Sequence, residues 1–161
     1  MRSLLVVFGL TAIACGDHTV VPDTLDVSGT WNLIVTAAPS CAAVLPDGRR
    51  VGRGWLLRLQ QSRDEVAGTV EASESGPTGG SRRIGAVNGT VSGSHFTLTG
   101  DMLDPVNDPQ IRVAGTLAGE VCGSGNCATG TIAGVFGLQP SGAPMVGCEA
   151  TDHSFLMQRG R

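Results

Sequence analysis

Five cysteines and three histidines are the residues of this chain best suited to chemistry. Cys122, Cys127, Cys148 and His153 stand in Cys-x4-Cys and Cys-x4-His steps. Four soft ligands of that kind would close a tetrahedral zinc site. The same cysteines, with Cys41, would instead pair as disulfides in an oxidising compartment. The steps are wider than the Cys-x2-Cys knuckle of zinc modules, and disulfides are the reading carried forward. His18, His95 and His153 fall in an irregular N-terminal stretch and at the starts of strands, where solvated imidazoles are expected. The stretch 101–109 (DMLDPVNDP) gathers Asp101, Asp104, Asn107 and Asp108, hard oxygen ligands of the type calcium takes. It lacks the glycine and terminal glutamate of a calcium loop and reads as a solvated acidic turn. No Gly-x-Ser-x-Gly elbow and no His-Glu-x-x-His pair occurs, and no spacing marks a Ser/His/Asp set. The expectation is a protein without catalytic residues, metal or cofactor.

Composition narrows the partners. All eleven basic residues are Arg, set against fourteen Asp and Glu, and the formal charge of −3 gives no footprint for nucleic acid. The Arg49, Arg50 and Arg53 cluster and the Arg82–Arg83 pair read as solvated loop tips, with contact to anionic headgroups as the alternative. Two Trp, four Phe and no Tyr leave no aromatic platform for bases or sugars. At 161 residues one domain is expected, with a core of useful size.

The N-terminus carries an address. Arg2 is the only charged residue before Asp17, and residues 4–13 (LLVVFGLTAI) form an unbroken apolar run. That run is too short to span a bilayer as a helix and suits the core of a signal peptide. An ordinary signal peptide cut near Ala14 is one reading. The step Ala12-Ile13-Ala14-Cys15 resembles the lipobox of bacterial lipoproteins. The resemblance implies cleavage before Cys15 and acylation of its thiol (diacylglycerol and palmitate). Gly16 after that cysteine is similar to the default for sorting to the outer membrane of a two-membrane bacterium. The expected organisation is a signal peptide over 1–14, a lipid-anchored tether over 15–27 and a folded domain over 28–161.

From Ser28 the apolar pattern has a period of two. Val66-Ala67-Gly68-Thr69-Val70-Glu71-Ala72 alternates cleanly, and similar runs return from Val87, Val113 and Gly130. Trp31, Leu33 and Val35 share one face, as do Trp55, Leu57 and Leu59, and Phe96 and Leu98. Such alternation argues for half-buried antiparallel strands. Eight are expected, at about 28–36, 54–61, 65–72, 84–92, 95–101, 110–121, 127–136 and 153–159, with Gly93-Ser94 as a two-residue turn. The fold class is all-β: an eight-stranded antiparallel up-and-down barrel, since closure removes exposed edges. Glycines recur at inward positions, either because neighbours pack over them or because they leave space for a ligand.

Gly29-Thr30-Trp31 at the start of the first strand is similar to the Gly-x-Trp opening of lipocalins and other calycin barrels. Taken with eight strands over 28–159, the chain resembles a lipocalin-like bacterial lipoprotein. If Cys15 carries lipid, four cysteines remain. Cys122 and Cys127 flank a reversal between strands, so a local bridge fits; Cys41 follows the first strand and Cys148 precedes the last, which are neighbours in a closed barrel. The expected pairs are Cys41–Cys148 and Cys122–Cys127, worth about 5 and about 2 kcal/mol in the chain-entropy picture. The expected function is non-enzymatic binding of a small apolar ligand in a lumen lined by Trp31, Trp55, Leu57, Phe96, Val113, Leu117 and Ile132. The alternative is an envelope structural or interaction protein, or a hydrolase inhibitor, working through its loops.

Overall fold

The computed structural model describes residues 25–43, 45, 52–74, 79–106 and 109–160. Eight strands run in chain order: β1 (Gly29–Thr36), β2 (Gly52–Ser62), β3 (Glu65–Ser73), β4 (Ser81–Ser92), β5 (His95–Asp104), β6 (Gln110–Val121), β7 (Cys127–Gln139) and β8 (Val146–Arg159). Each pairs antiparallel with the next, and β8 returns to β1, closing the barrel. The closing seam matches Trp31 with Arg159 and Thr36 with Ser154. A 3-10 turn, Pro39–Ala43, lies between β1 and β2. Cys15, the expected leader over 1–14, His18, Arg49, Arg50, Asn107 and Asp108 lie outside the described residues.

The period of two produces this wall directly. Inward positions of β1 and β2 bury Trp31, Leu33, Val35, Trp55, Leu57 and Leu59, while Arg58 points out. The outer wall carries polar pairs such as Arg58–Glu71 and Arg112–Asp101. An apolar interior and a polar exterior invert the pattern of a membrane-spanning barrel. No helix among the described residues is long and apolar enough to cross a membrane.

Gly93 takes φ 57° in the two-residue turn between β4 and β5, the left-handed region that favours glycine. Inside the barrel, glycines make room for rings. A Cβ on Gly119 would stand 2.5 Å from Phe155 Cζ and 3.0 Å from Phe96 Cζ. Phe155 lies opposite Gly130 on β7, and Phe96 opposite Gly119 on β6. The two rings meet at 5.9 Å with a 54° tilt, a favourable aromatic geometry. Of the two sequence readings of the inward glycines, packing is the one found at these positions.

Three strands start earlier than the sequence pattern indicates: β2 at Gly52, and β4 and β8, each with a bulge at the break. β8 begins at Val146 rather than near 153 because its register against β7 shifts between Ile132 and Gly134. Thr151 and Asp152 both point outward there, so the inward set changes from even-numbered to odd-numbered residues. β4 likewise extends back to Ser81 past a register shift opposite Val70 and Glu71.

The two ends of the barrel differ. Connections at 63–64, 93–94 and 122–126 lie at one end, and those at 37–51, 74–80, 105–109 and 140–145 at the other. The first end is also closed by residues 25–28, of which 25–27 had been assigned to the tether. Val27 is buried, its carbonyl accepts from Trp31 Nε1 (2.8 Å), and its N–H donates to Gln61 Oε1 (2.8 Å). Arg159 stacks its guanidinium over Trp31 at 4.8 Å and donates to the carbonyls of Asp26 and Gly125. Ser28 hydrogen bonds, followed by the nearby Arg159 charge, hold the Asp26 carboxyl below its ordinary value.

Candidate functional site

The lumen is the natural candidate site of a barrel. Trp31, Trp55, Leu57, Phe96, Val113, Leu117 and Ile132 all face it, each at most 4% exposed. They sit on five of the eight strands at inward positions, so the fold does bring them together. What they enclose is packed. Toward the short-turn end, the gap among Val27, Trp31, Leu59, Phe96, Leu98, Val121, Ala128 and Met157 has no volume a water molecule can occupy.

The opposite mouth is plugged by the chain itself. Ala37, Ala38 and Cys41 are fully buried, and Leu45 is 4% exposed, all within the apolar core. The plug is tied to β8. Cys41 and Cys148 form a disulfide across 107 residues of chain. His153 Nδ1 accepts from the Ala38 N–H at 3.0 Å. His153 is therefore not a solvated imidazole at a strand start; it is fully buried in the middle of β8. Its Nε2 lies 3.1 Å from the Gly134 carbonyl, so the neutral Nε2–H tautomer satisfies both contacts.

A second buried polar group lies under the plugged mouth. Asp104 is fully buried, which corrects its reading as part of a solvated turn. It accepts from Trp55 Nε1 (3.1 Å) and from the Val106 N–H (3.1 Å). Arg53 Nε lies 4.0 Å away, and Arg53 Nη2 donates to the Pro109 carbonyl. Arg53, read as a solvated loop tip, is instead folded toward the lumen. Asp104 and Asp101 stand on opposite faces of β5, so they do not share a cation. Asp101 points outward to Arg112, whose hydrogen bond holds the Asp101 carboxyl below its ordinary range. Arg58 and then Ser81 lower Glu71 in the same way.

The second disulfide joins Cys122 to Cys127 in the β6–β7 turn, as expected from spacing. With all four sulfurs engaged in disulfides, the four-ligand zinc arrangement is overturned. Among the described residues no group of three metal-ligating side chains occurs. On the outer wall an open polar groove of about 670 Å³ runs along Gln60, Ser62, Ala67, Asn88 and Thr90. A depression of about 570 Å³ lies between Ser40 of the plug and Glu149, Thr151 and Asp152 of β8.

The residues missed at the sequence level were Arg53, Asp104 and His153. All three sit in phase with inward neighbours: Arg53 with Trp55 and Leu57, Asp104 with Phe96, Leu98 and Met102, His153 with Phe155 and Met157. That phase was the available signal. The chain matches no known protein family, curated protein or solved structure.

Proposed function

We propose that this chain is an exported lipoprotein, lipocalin-like in its barrel, anchored through an acylated Cys15 to a bacterial envelope. In this reading the domain is a solid scaffold that engages a protein partner at one end, and it carries no ligand in its lumen. The observation that carries the reading is the packed interior. Seven inward residues suited to line a ligand site are each at most 4% exposed, the Phe155 and Phe96 rings fill the space over Gly119, and the gap lined by Trp31 and Phe96 excludes even water.

The anchor side follows from the chain path. Leu25 stands ten residue steps after Cys15, a reach of about 35 Å when fully extended. Leu25 donates to the Gly93 carbonyl, at the short-turn end. An anchored Cys15 therefore holds that end toward the bilayer. The end with the other four connections then faces away from it and is the face offered to a partner.

Two experiments test this reading. Metabolic labelling with a palmitate analogue should mark the protein in a two-membrane bacterium, and Cys15→Ala should abolish the label. Titration with a fluorescent fatty acid should show no saturable binding. Persistent labelling of Cys15→Ala would remove the anchor, and one-to-one micromolar binding of the probe would restore the luminal-ligand reading.

A further inference from the structure

We infer that the Cys41–Cys148 disulfide is a thiol-operated latch, and that its reduction releases the plug from the mouth of the barrel. The inference concerns regulation and stands independently of the anchor.

The two disulfides have different structural settings. Around Cys122–Cys127 the backbone already closes the turn: the Cys122 N–H donates to the Cys127 carbonyl, and Val121 pairs with Ala128. Opening that bridge leaves the ladder in place. The plug belongs to no strand. Its internal hydrogen bonds run from Cys41 N–H to the Ala38 carbonyl and from Leu45 N–H to the Cys41 carbonyl. Its ties to β8 include the disulfide and the bond from Ala38 to His153.

Access is asymmetric in the direction a latch needs. Cys41 is fully buried, while Cys148 is half-buried on β8. A dithiol reductant reaches Cys148 first. Its thiolate forms a bond to Cys148 Sγ, and the Sγ–Sγ bond breaks. Cys41 leaves as the thiolate and takes up a proton. The second thiol of the reductant then attacks the mixed disulfide, freeing Cys148 and leaving the reductant as its cyclic disulfide. The sulfur expelled in the first step is the one on the plug. Release frees the buried Ala37, Ala38 and Cys41 from the apolar core.

The test uses a Cys122→Ala/Cys127→Ala variant of the full chain, which retains only the latch. Amide hydrogen exchange is followed before and after dithiothreitol, with alkylation and mass measurement confirming that both thiols are free. The Ala38, Cys41 and Leu45 amides should exchange at least about tenfold faster after reduction, while β2 to β7 stay protected. A Cys41→Ala/Cys148→Ala variant should show the same fast exchange without reductant. Unchanged protection at Ala38–Leu45 with both thiols alkylated would overturn the proposal. Loss of protection across the whole barrel would overturn it too, because the bond would then be a staple of the fold. If the Cys41→Ala/Cys148→Ala variant does not fold, the reduction experiment decides alone.

Discussion

Phe155→Ala and Gly119→Ala, singly and together, form a cycle that probes the packing of the interior. Phe155 is 4% exposed and tilts against Phe96, so truncation removes a nearly buried ring and one aromatic contact. The expected cost is about 3–5 kcal/mol. Gly119→Ala alone places a methyl 2.5 Å from Phe155 Cζ, 2.7 Å from the Thr129 carbonyl oxygen and 3.0 Å from Phe96 Cζ. Two of these obstacles are rings that can shift and one is backbone, so a cost of about 1–3 kcal/mol is expected. In the Phe155→Ala background the nearest obstacle is gone and the new methyl fills part of the hole. The double variant should therefore be more stable than the sum of the two costs by about 1 kcal/mol or more. Urea unfolding at constant m-value reads each corner of the cycle. Costs that add within about 0.5 kcal/mol would show that the ring does not occupy the space over Gly119, and the packed-lumen argument would fail there.

Other perturbations address the polar sites. His153→Leu keeps the volume roughly but leaves the Ala38 N–H and the Gly134 carbonyl without their partner; a loss of about 2–4 kcal/mol is expected in urea unfolding, and an unchanged midpoint would contradict the assigned hydrogen bonds. Asp101 has its carboxyl held below the ordinary value of 3.8 by Arg112, so its contribution is present above that pH and is lost as pH falls through the lower folded value. Because Arg112 and Asp101 are about half exposed, Asp101→Asn should change stability by less than about 1 kcal/mol at neutral pH and flatten only the slope below about pH 4. Non-reducing peptide mapping should recover Cys41 with Cys148 and Cys122 with Cys127; a Cys41–Cys122 peptide would contradict the plug.

The barrel was legible because its strands obey one rule for most of their length. Wherever alternation ran unbroken, as from Val66 to Ala72 or from Val113 to Val121, strand and facing were both readable. Cysteine pairing followed, since closure brings the first and last strands together. The rule failed where a bulge resets it. Thr151 and Asp152 spend two consecutive residues outside, which hid both the early start of β8 and the inward facing of His153. Asp104 and Arg53 were hidden differently. Each is in phase with the core but falls just outside the expected strands 54–61 and 95–101. Burial with a partner, here Trp55 Nε1 with Asp104 and a neighbouring Arg53, is what allows a charge at such a position. The plug had no pattern to read. Pro39–Ala43 is too short for periodicity, and its burial is set by the disulfide and by His153, both remote in sequence.

The central claim is that the lumen is filled by the protein's own side chains. Native mass spectrometry of the protein purified under non-denaturing conditions from the cells that make it tests this most directly. The account predicts one species, whose mass is unchanged between native and denaturing conditions. A stoichiometric apolar molecule present in the native spectrum and lost on denaturation would contradict it.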